Sequence, residues 1–215
     1  MIQASFYVLI EENLGSSVIN IKMEVSDLGQ KTDEQVVAES LHKPQAYAEL
    51  VLRYGEKLRR YIRRLGNLNP EDVNDILQNI FIKVYVNLNG FDRKLKFSSW
   101  VYRIAHNETV SFLRQKSSRP KLVYSQDEFD YFDTFISDLD LQKEAQIIFD
   151  SRKIAQVLAG MEREYREILV LKYFEQKDYA EISDILQKPM GSVASQLSRA
   201  KEKFRAQARQ GGIKF

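Results

Sequence analysis

The stretch Asp178–Arg209, DYAEISDILQKPMGSVASQLSRAKEKFRAQAR, narrows the possible folds more than any other part of the chain. It reads as two helices on either side of a break. Asp178, with Glu181 three residues on, gives the reciprocal capping-box pattern that opens a helix. Ile182, Ile185 and Leu186 follow as an apolar stripe at helical spacing. Lys188-Pro189-Met190-Gly191 interrupts them, because proline suits the first turn of a helix and not its middle. In the second segment Val193, Leu197, Ala200 and Phe204 share one face. Ser192, Ser195, Gln196, Arg199 and Lys203 share another, a polar and cationic set able to reach base edges or phosphates. A helix-turn-helix with a DNA-reading second helix fits this pattern. So does a plain helical hairpin with a solvated basic face.

The 215 residues allow one large domain or two small ones, and 44% hydrophobic with 29% charged residues is a globular composition. The net charge of +2 hides an uneven distribution. Arg53–Arg64, Arg114–Lys121 and Arg199–Arg209 are basic, and Asp127–Asp140 is acidic, so a nucleic-acid surface can sit behind a near-neutral total. The absence of cysteine excludes disulfides and thiolate metal sites and fits a reducing cytoplasm. No apolar run is long enough to cross a bilayer. The Phe6–Ile10 run is too short for a signal sequence and has no Lys or Arg before it. A soluble cytoplasmic protein without membrane insertion is expected.

Taken in order, residues 1–30 form an extension of unknown role, with two strands possible at Ile2–Ile10 and Val18–Val25. Met23 is an alternative start. Thr32-Asp33-Glu34-Gln35 is a capping box opening a short helix. Pro44 then starts a longer one whose apolar positions are Tyr47, Leu50, Val51, Tyr54, Leu58, Tyr61, Ile62 and Leu65. Gly66 is placed to end it as a left-handed cap. Asn69-Pro70-Glu71-Asp72 carries every helix-start signal. The helix it opens has a core stripe, Val73, Ile76, Leu77, Ile80, Phe81, Val84 and Leu88, and a second stripe, Asp75, Gln78, Asn79 and Ile82. That second stripe is either a docking surface or three polar groups with one stray exposed isoleucine.

Asn89-Gly90 breaks this helix, and Phe91–Phe97 forms a loop in which Arg93, Lys94 and Lys96 lie between aromatic rings. Ser98 caps a helix to about Gln115, with Val101, Ile104, Ala105 and Phe112 inward and Arg103, Asn107, Ser111 and Arg114 on the opposite face. Rings beside cations suit unpaired bases, which stack while their phosphates meet Lys and Arg. Trp100 is read as core. Residues 117–143 read as an acidic, aromatic linker. Helical pattern resumes near Ala145, and a further helix spans Glu162–Phe174 with Tyr165, Ile168, Leu169 and Tyr173 inward.

Reactive constellations are missing. His42 and His106 lie in unrelated contexts, and there is no His-Glu-x-x-His, glycine-rich phosphate loop or nucleophile elbow. No catalytic residue, metal or cofactor is expected. A helical carboxylate metal enzyme is a weak alternative, resting on linker acids that solvation already explains.

Two separated stretches resemble one family. Asp72–Arg119, with Asp-Ile-Leu-Gln-x-x-Phe from Asp75, Phe-Ser-Ser-Trp-Val-Tyr-Arg-Ile-Ala from Phe97, and Asn107, resembles region 2 of bacterial sigma factors of the extracytoplasmic-function (ECF) class. Thr32–Tyr54 resembles the start of that region, and Met161–Arg205 resembles region 4. The resemblance implies an all-α fold of two small helical domains, region 2 at 31–119 and region 4 at 144–215, joined by the acidic linker 120–143. It implies a non-catalytic initiation factor that binds core RNA polymerase through clamp and flap, melts the −10 element, binds the −35 element of promoter DNA, and is held by an anti-sigma factor. Asp75, Gln78, Asn79 and Ile82 fall on the clamp-docking stripe. Arg93, Lys94, Lys96, Phe97, Arg103, Asn107 and Arg114 fall on the −10 reader, and Ser192, Ser195, Gln196, Arg199 and Lys203 on the −35 reader. The linker resembles a segment that threads toward the polymerase cleft. Asn79, His106, Ser111, Ala194 and Gln196 depart from the residues usual there. The last two remove cations, which would throw −35 affinity onto Arg199, Lys201 and Lys203. A stand-alone helix-turn-helix regulator is the alternative.

Overall fold

The computed structural model describes residues 31–92, 95–118 and 145–212. Among these every regular element is helical. The expected strands in residues 1–30, the linker, Arg93 and Lys94 lie outside the described residues.

Helix α1 (Asp33–Ser40) opens as read: Gln35 N donates to Thr32 Oγ1 at 3.3 Å, and Thr32 N donates to Gln35 Oε1 at 2.8 Å. Pro44 does not begin the next helix. It starts a single 3₁₀ turn, Pro44–Ala46, and α2 follows at Tyr47–Leu65. Lys43, restricted by the proline after it, is extended at φ −129°. All eight apolar positions named for this helix are buried.

Gly66 corrects a second expectation. Its backbone is extended at φ −157°, ψ 155°, not left-handed. Close approach explains the glycine instead: a methyl group there would lie 2.6 Å from Leu113 Cδ2.

Helix α3 (Pro70–Val86) is capped by Asn69 Oδ1, which accepts from Asp72 N at 2.7 Å. Its core stripe is buried, and Leu88 is buried in the 3₁₀ turn that follows. Helix α4 (Phe97–Ser118) begins one residue before the expected cap at Ser98. The Phe97 N–H donates at 3.4 Å to Glu34 Oε1, so a carboxylate from α1 meets the positive end of α4. Phe91, Phe97 and Trp100 pack with ring centroids 5.2–5.8 Å apart, which places Trp100 in the core as read.

The C-terminal group is α5 (Ala145–Gly160), α6 (Arg163–Leu169), α7 (Tyr179–Leu186) and α8 (Met190–Gln210). Helix α6 runs into a π-helical turn, Val170–Phe174. The wider turn rotates everything after it, so Val170 and Leu171 are buried and Tyr173, expected inward, is 56% exposed. Gln187 takes the left-handed conformation at φ 53° to end α7, and Pro189 precedes α8. The two helical groups are in contact: α4 packs along α7, and α2 meets α6 and the π turn.

Candidate nucleic-acid interface

Helix α7 is fixed by its own first turn. Asp178 Oδ1 accepts from Glu181 N at 2.8 Å, and Glu181 Oε2 accepts from Asp178 N at 3.0 Å. Val193, Leu197 and Ala200 bury one face of α8 against this scaffold, which turns Ser192, Ser195, Arg199 and Lys203 to solvent. Gln196 and Lys203 are already engaged. Gln196 Nε2 donates to the Glu164 carbonyl at 2.6 Å, and its Oε1 accepts from Lys188 Nζ at 2.9 Å. Lys203 Nζ pairs with Glu162 at 2.6 Å and lies 4.2 Å from the centroid of the Tyr165 ring. Lys201, expected to share the DNA load, points to the other side of α8. There it lines an apolar groove of about 300 Å³ with Ile154, Leu158, Leu169, Tyr173, Phe204 and Arg205.

The second face runs along α4. Asn107, Ser111 and Arg114 are exposed and Arg103 is half-buried. Phe97, expected among the base contacts, is 1% exposed and sits edge-on to Tyr54 at 5.4 Å. It supports the loop from inside and offers no free ring face. Lys96 stands at the mouth of the loop, 3.6 Å from both Asp178 and Glu181.

On α3, Asp75, Gln78, Asn79 and Ile82 are all exposed. Val86 continues the line four residues beyond Ile82 and is 70% exposed. Its spacing from Ile82 is present in the sequence, which places it on the same stripe in the last turn before the Asn87 cap.

Charged groups concentrate where α4 meets α6 and α7. Arg64 at the end of α2 is buried, bonded to Glu175 at 3.0 Å and lying 4.8 Å over the Phe174 ring. The other Glu175 oxygen accepts from the Tyr102 hydroxyl at 2.5 Å. Burial raises the Glu175 carboxyl above its ordinary value, against the opposing pull of Tyr102 and Arg64. His106 Nε2 lies 3.8 Å from Glu167, and its Nδ1 is 3.2 Å from the Tyr61 hydroxyl. Burial pushes Glu167 up to about 7. Burial, then Lys188 and Arg163, push His106 down to about 4. Lys177, lowered mainly by burial, lies 4.7 Å from the Tyr102 ring centroid and 3.6 Å from Glu181.

Two family models match the two helical groups: Sigma-70 region 2 over residues 50–119 and Sigma-70 region 4 over residues 151–204. The ECF RNA polymerase sigma factor SigW of Bacillus subtilis (strain 168) is 34% identical over 169 residues, covering 76% of this chain and 89% of that protein. The chain belongs to the ECF class of RNA polymerase sigma factors. The RNA polymerase sigma-H factor of Pseudomonas aeruginosa is 30% identical over 181 residues, 81% of this sigma factor and 93% of that one. Among solved structures, CnrH in complex with the cytosolic domain of CnrY matches at TM-score 0.60 and 21% identity over 82% of this chain and 96% of that one. The sigma factor RpoE in complex with the anti-sigma factor NepR from Bartonella quintana matches at TM-score 0.54 and 17% identity, over 76% and 96%. These two likenesses concern the fold. Among the described residues of this sigma factor, no helix is long and apolar enough to cross a membrane.

Proposed function

We propose that this sigma factor binds core RNA polymerase and directs it to promoters, with region 2 (31–119) acting on the −10 element and region 4 (144–215) on the −35 element. The observation that carries this is the pairing of region 2 and region 4 matches, in order, on one chain whose candidate contact faces are largely exposed. No group on these faces is required to make or break a covalent bond. Melting is driven by binding: bases leaving the duplex are held by the α4 face and its loop, at an unstacking cost of roughly a few kcal/mol per step. Asn107 and Arg114 have the exposure this needs, with Lys96, Arg103 and the Arg93–Lys94 pair beside them in the chain. Phe97 acts from the core by holding the loop.

Clamp docking falls to Asp75, Gln78, Asn79 and Ile82, extended by Val86. A β-branched pair framed by polar groups is the composition of an interface edge. The flap contact falls to the apolar groove of region 4, lined by Tyr173 and Phe204 with Lys201 and Arg205 beside them. On α8, Arg199 and Ser192 are the leading −35 contacts, while Gln196 and Lys203 must first exchange their present partners. An anti-sigma partner is also proposed, by analogy with the complex of RpoE with the anti-sigma factor NepR.

Run-off transcription with core polymerase over a genomic promoter library tests the whole reading. Promoter-specific transcripts are expected. Duplex binding that ignores core would favour a stand-alone regulator. Asp75→Lys combined with Gln78→Ala should abolish co-purification with core while leaving the helical content intact, and retained binding would overturn the docking assignment.

A further inference from the structure

We infer that Glu162, at the start of α6, is a built-in competitor of −35 DNA: it holds Lys203 of the reading helix and keeps region 4 a weak binder of duplex on its own. The inference rests on the promoter reading above and concerns how strongly its −35 half grips DNA. The first turn of α6 reaches two of the five reader side chains of α8. Glu162 Oε1 accepts from Lys203 Nζ at 2.6 Å, and the Glu164 carbonyl accepts from Gln196 Nε2 at 2.6 Å. The Tyr165 ring centroid lies 4.2 Å from the same Lys203 ammonium. Glu162 stands at the N-cap position of α6, where an acidic side chain can accept from the first N–H groups of its own helix. It makes no such bond and is turned to Lys203 instead.

Position decides what Lys203 can do. From Met190 to Lys203, α8 spans about 20 Å at 1.5 Å per residue. The N-terminal residues of a reading helix enter the major groove, which is about 12 Å wide. Lys203 therefore stands over the flanking phosphates, where a cation adds affinity without sequence preference. A lysine that neutralises a phosphate releases a counterion and steepens the fall of log K with log salt by about 0.9. One that stays on Glu162 releases none. As a stabiliser of the fold the pair counts for little, because its side chains are 44% and 64% exposed and water screens such pairs. The larger effect of the carboxylate falls on DNA: it occupies the lysine and sets a negative charge beside the phosphates.

The test is a filter-binding titration of holoenzyme on a promoter duplex recovered by the run-off experiment, repeated between about 50 and 200 mM salt. Glu162→Gln should bind about three- to tenfold more tightly than the parent at the lowest salt. Its log K should fall more steeply by about 0.9 per decade of salt, which erodes the advantage about 3.5-fold across the range. Glu162→Ala, which removes the same charge with a different side chain, should give the same slope. Adding Lys203→Ala to Glu162→Gln should return the slope to the parental value. Circular dichroism checks that the variants keep their helices. A parental slope in both Glu162 variants, or a steepening that survives Lys203→Ala, would overturn the inference and leave the promoter reading standing. A parent that forms no promoter-specific complex with core would overturn the promoter reading, and this inference with it.

Discussion

Replacing either His106 or Glu167 should unmask the pH dependence of the other. Glu167 is pushed from 4.5 up to about 7, so the folded chain holds a proton there that the unfolded chain has released. Alone, this makes stability fall as pH rises from 4.5 to about 7. His106 is pushed from 6.5 down to about 4, so the folded chain lacks a proton that the unfolded chain holds. Alone, this makes stability rise over the window from about 4 to 6.5. Between pH 4.5 and 6.5 the pair binds one proton in each state, and the two slopes cancel. Each pKa unit corresponds to about 1.4 kcal/mol, so each slope accumulates roughly 2–3 kcal/mol across those two pH units. Relative to the parent, His106→Gln should lose that amount between pH 4.5 and 6.5, and Glu167→Gln should gain it. Tyr61, Arg163, Glu164 and Lys188 also face this pair, and they are unchanged in all three proteins. Urea unfolding at three pH values and constant ionic strength reads the differences directly. Flat differences, or slopes of the same sign, would refute the reasoning.

Further outcomes are expected at Gly66, Arg199 and Lys203. Gly66→Ala should cost region 2 no more than about 1 kcal/mol, because only the branched end of the half-buried Leu113 side chain must swing aside and the Gly66 backbone is already extended; thermal melting checks this. Arg199→Ala should weaken promoter binding by the holoenzyme by about 1–3 kcal/mol if it contacts a base in two-point fashion. Lys203→Ala should do less, because its ammonium is already held by Glu162, and a filter-binding titration against the same promoter separates the two.

What proved readable was local. The Thr32 and Asp178 capping boxes, the Asn69 cap and the 3.6-residue stripes of α2, α3 and α8 are decided within one or two turns, so the residues that specify them are neighbours in the chain. Tyr173 was misplaced because a π turn leaves no trace in a pattern judged at 3.6 residues per turn. Phe97 was misplaced because an aromatic ring among cations looks the same whether its face meets a base or Trp100. Gly66 was correctly marked as a special position, but the reason, a leucine 47 residues downstream, is tertiary. The engagement of Gln196 by Glu164, and the whole junction between the regions, depend on contacts between distant segments that no single window contains.

Arg64 and Glu175 are separated by 111 residues. At roughly 5–20 residues per second, a ribosome takes roughly 5–20 s to go from one to the other. For the later part of that interval, after Ser118 completes α4 and before Glu175 is made, region 2 is whole while the partner of its arginine does not yet exist. Every newly born molecule therefore passes through a stage in which the half that meets polymerase is uncovered, and only completion of the C-terminal helices ends it. The order of synthesis lets region 2 fold before the carboxylate that meets its buried arginine exists.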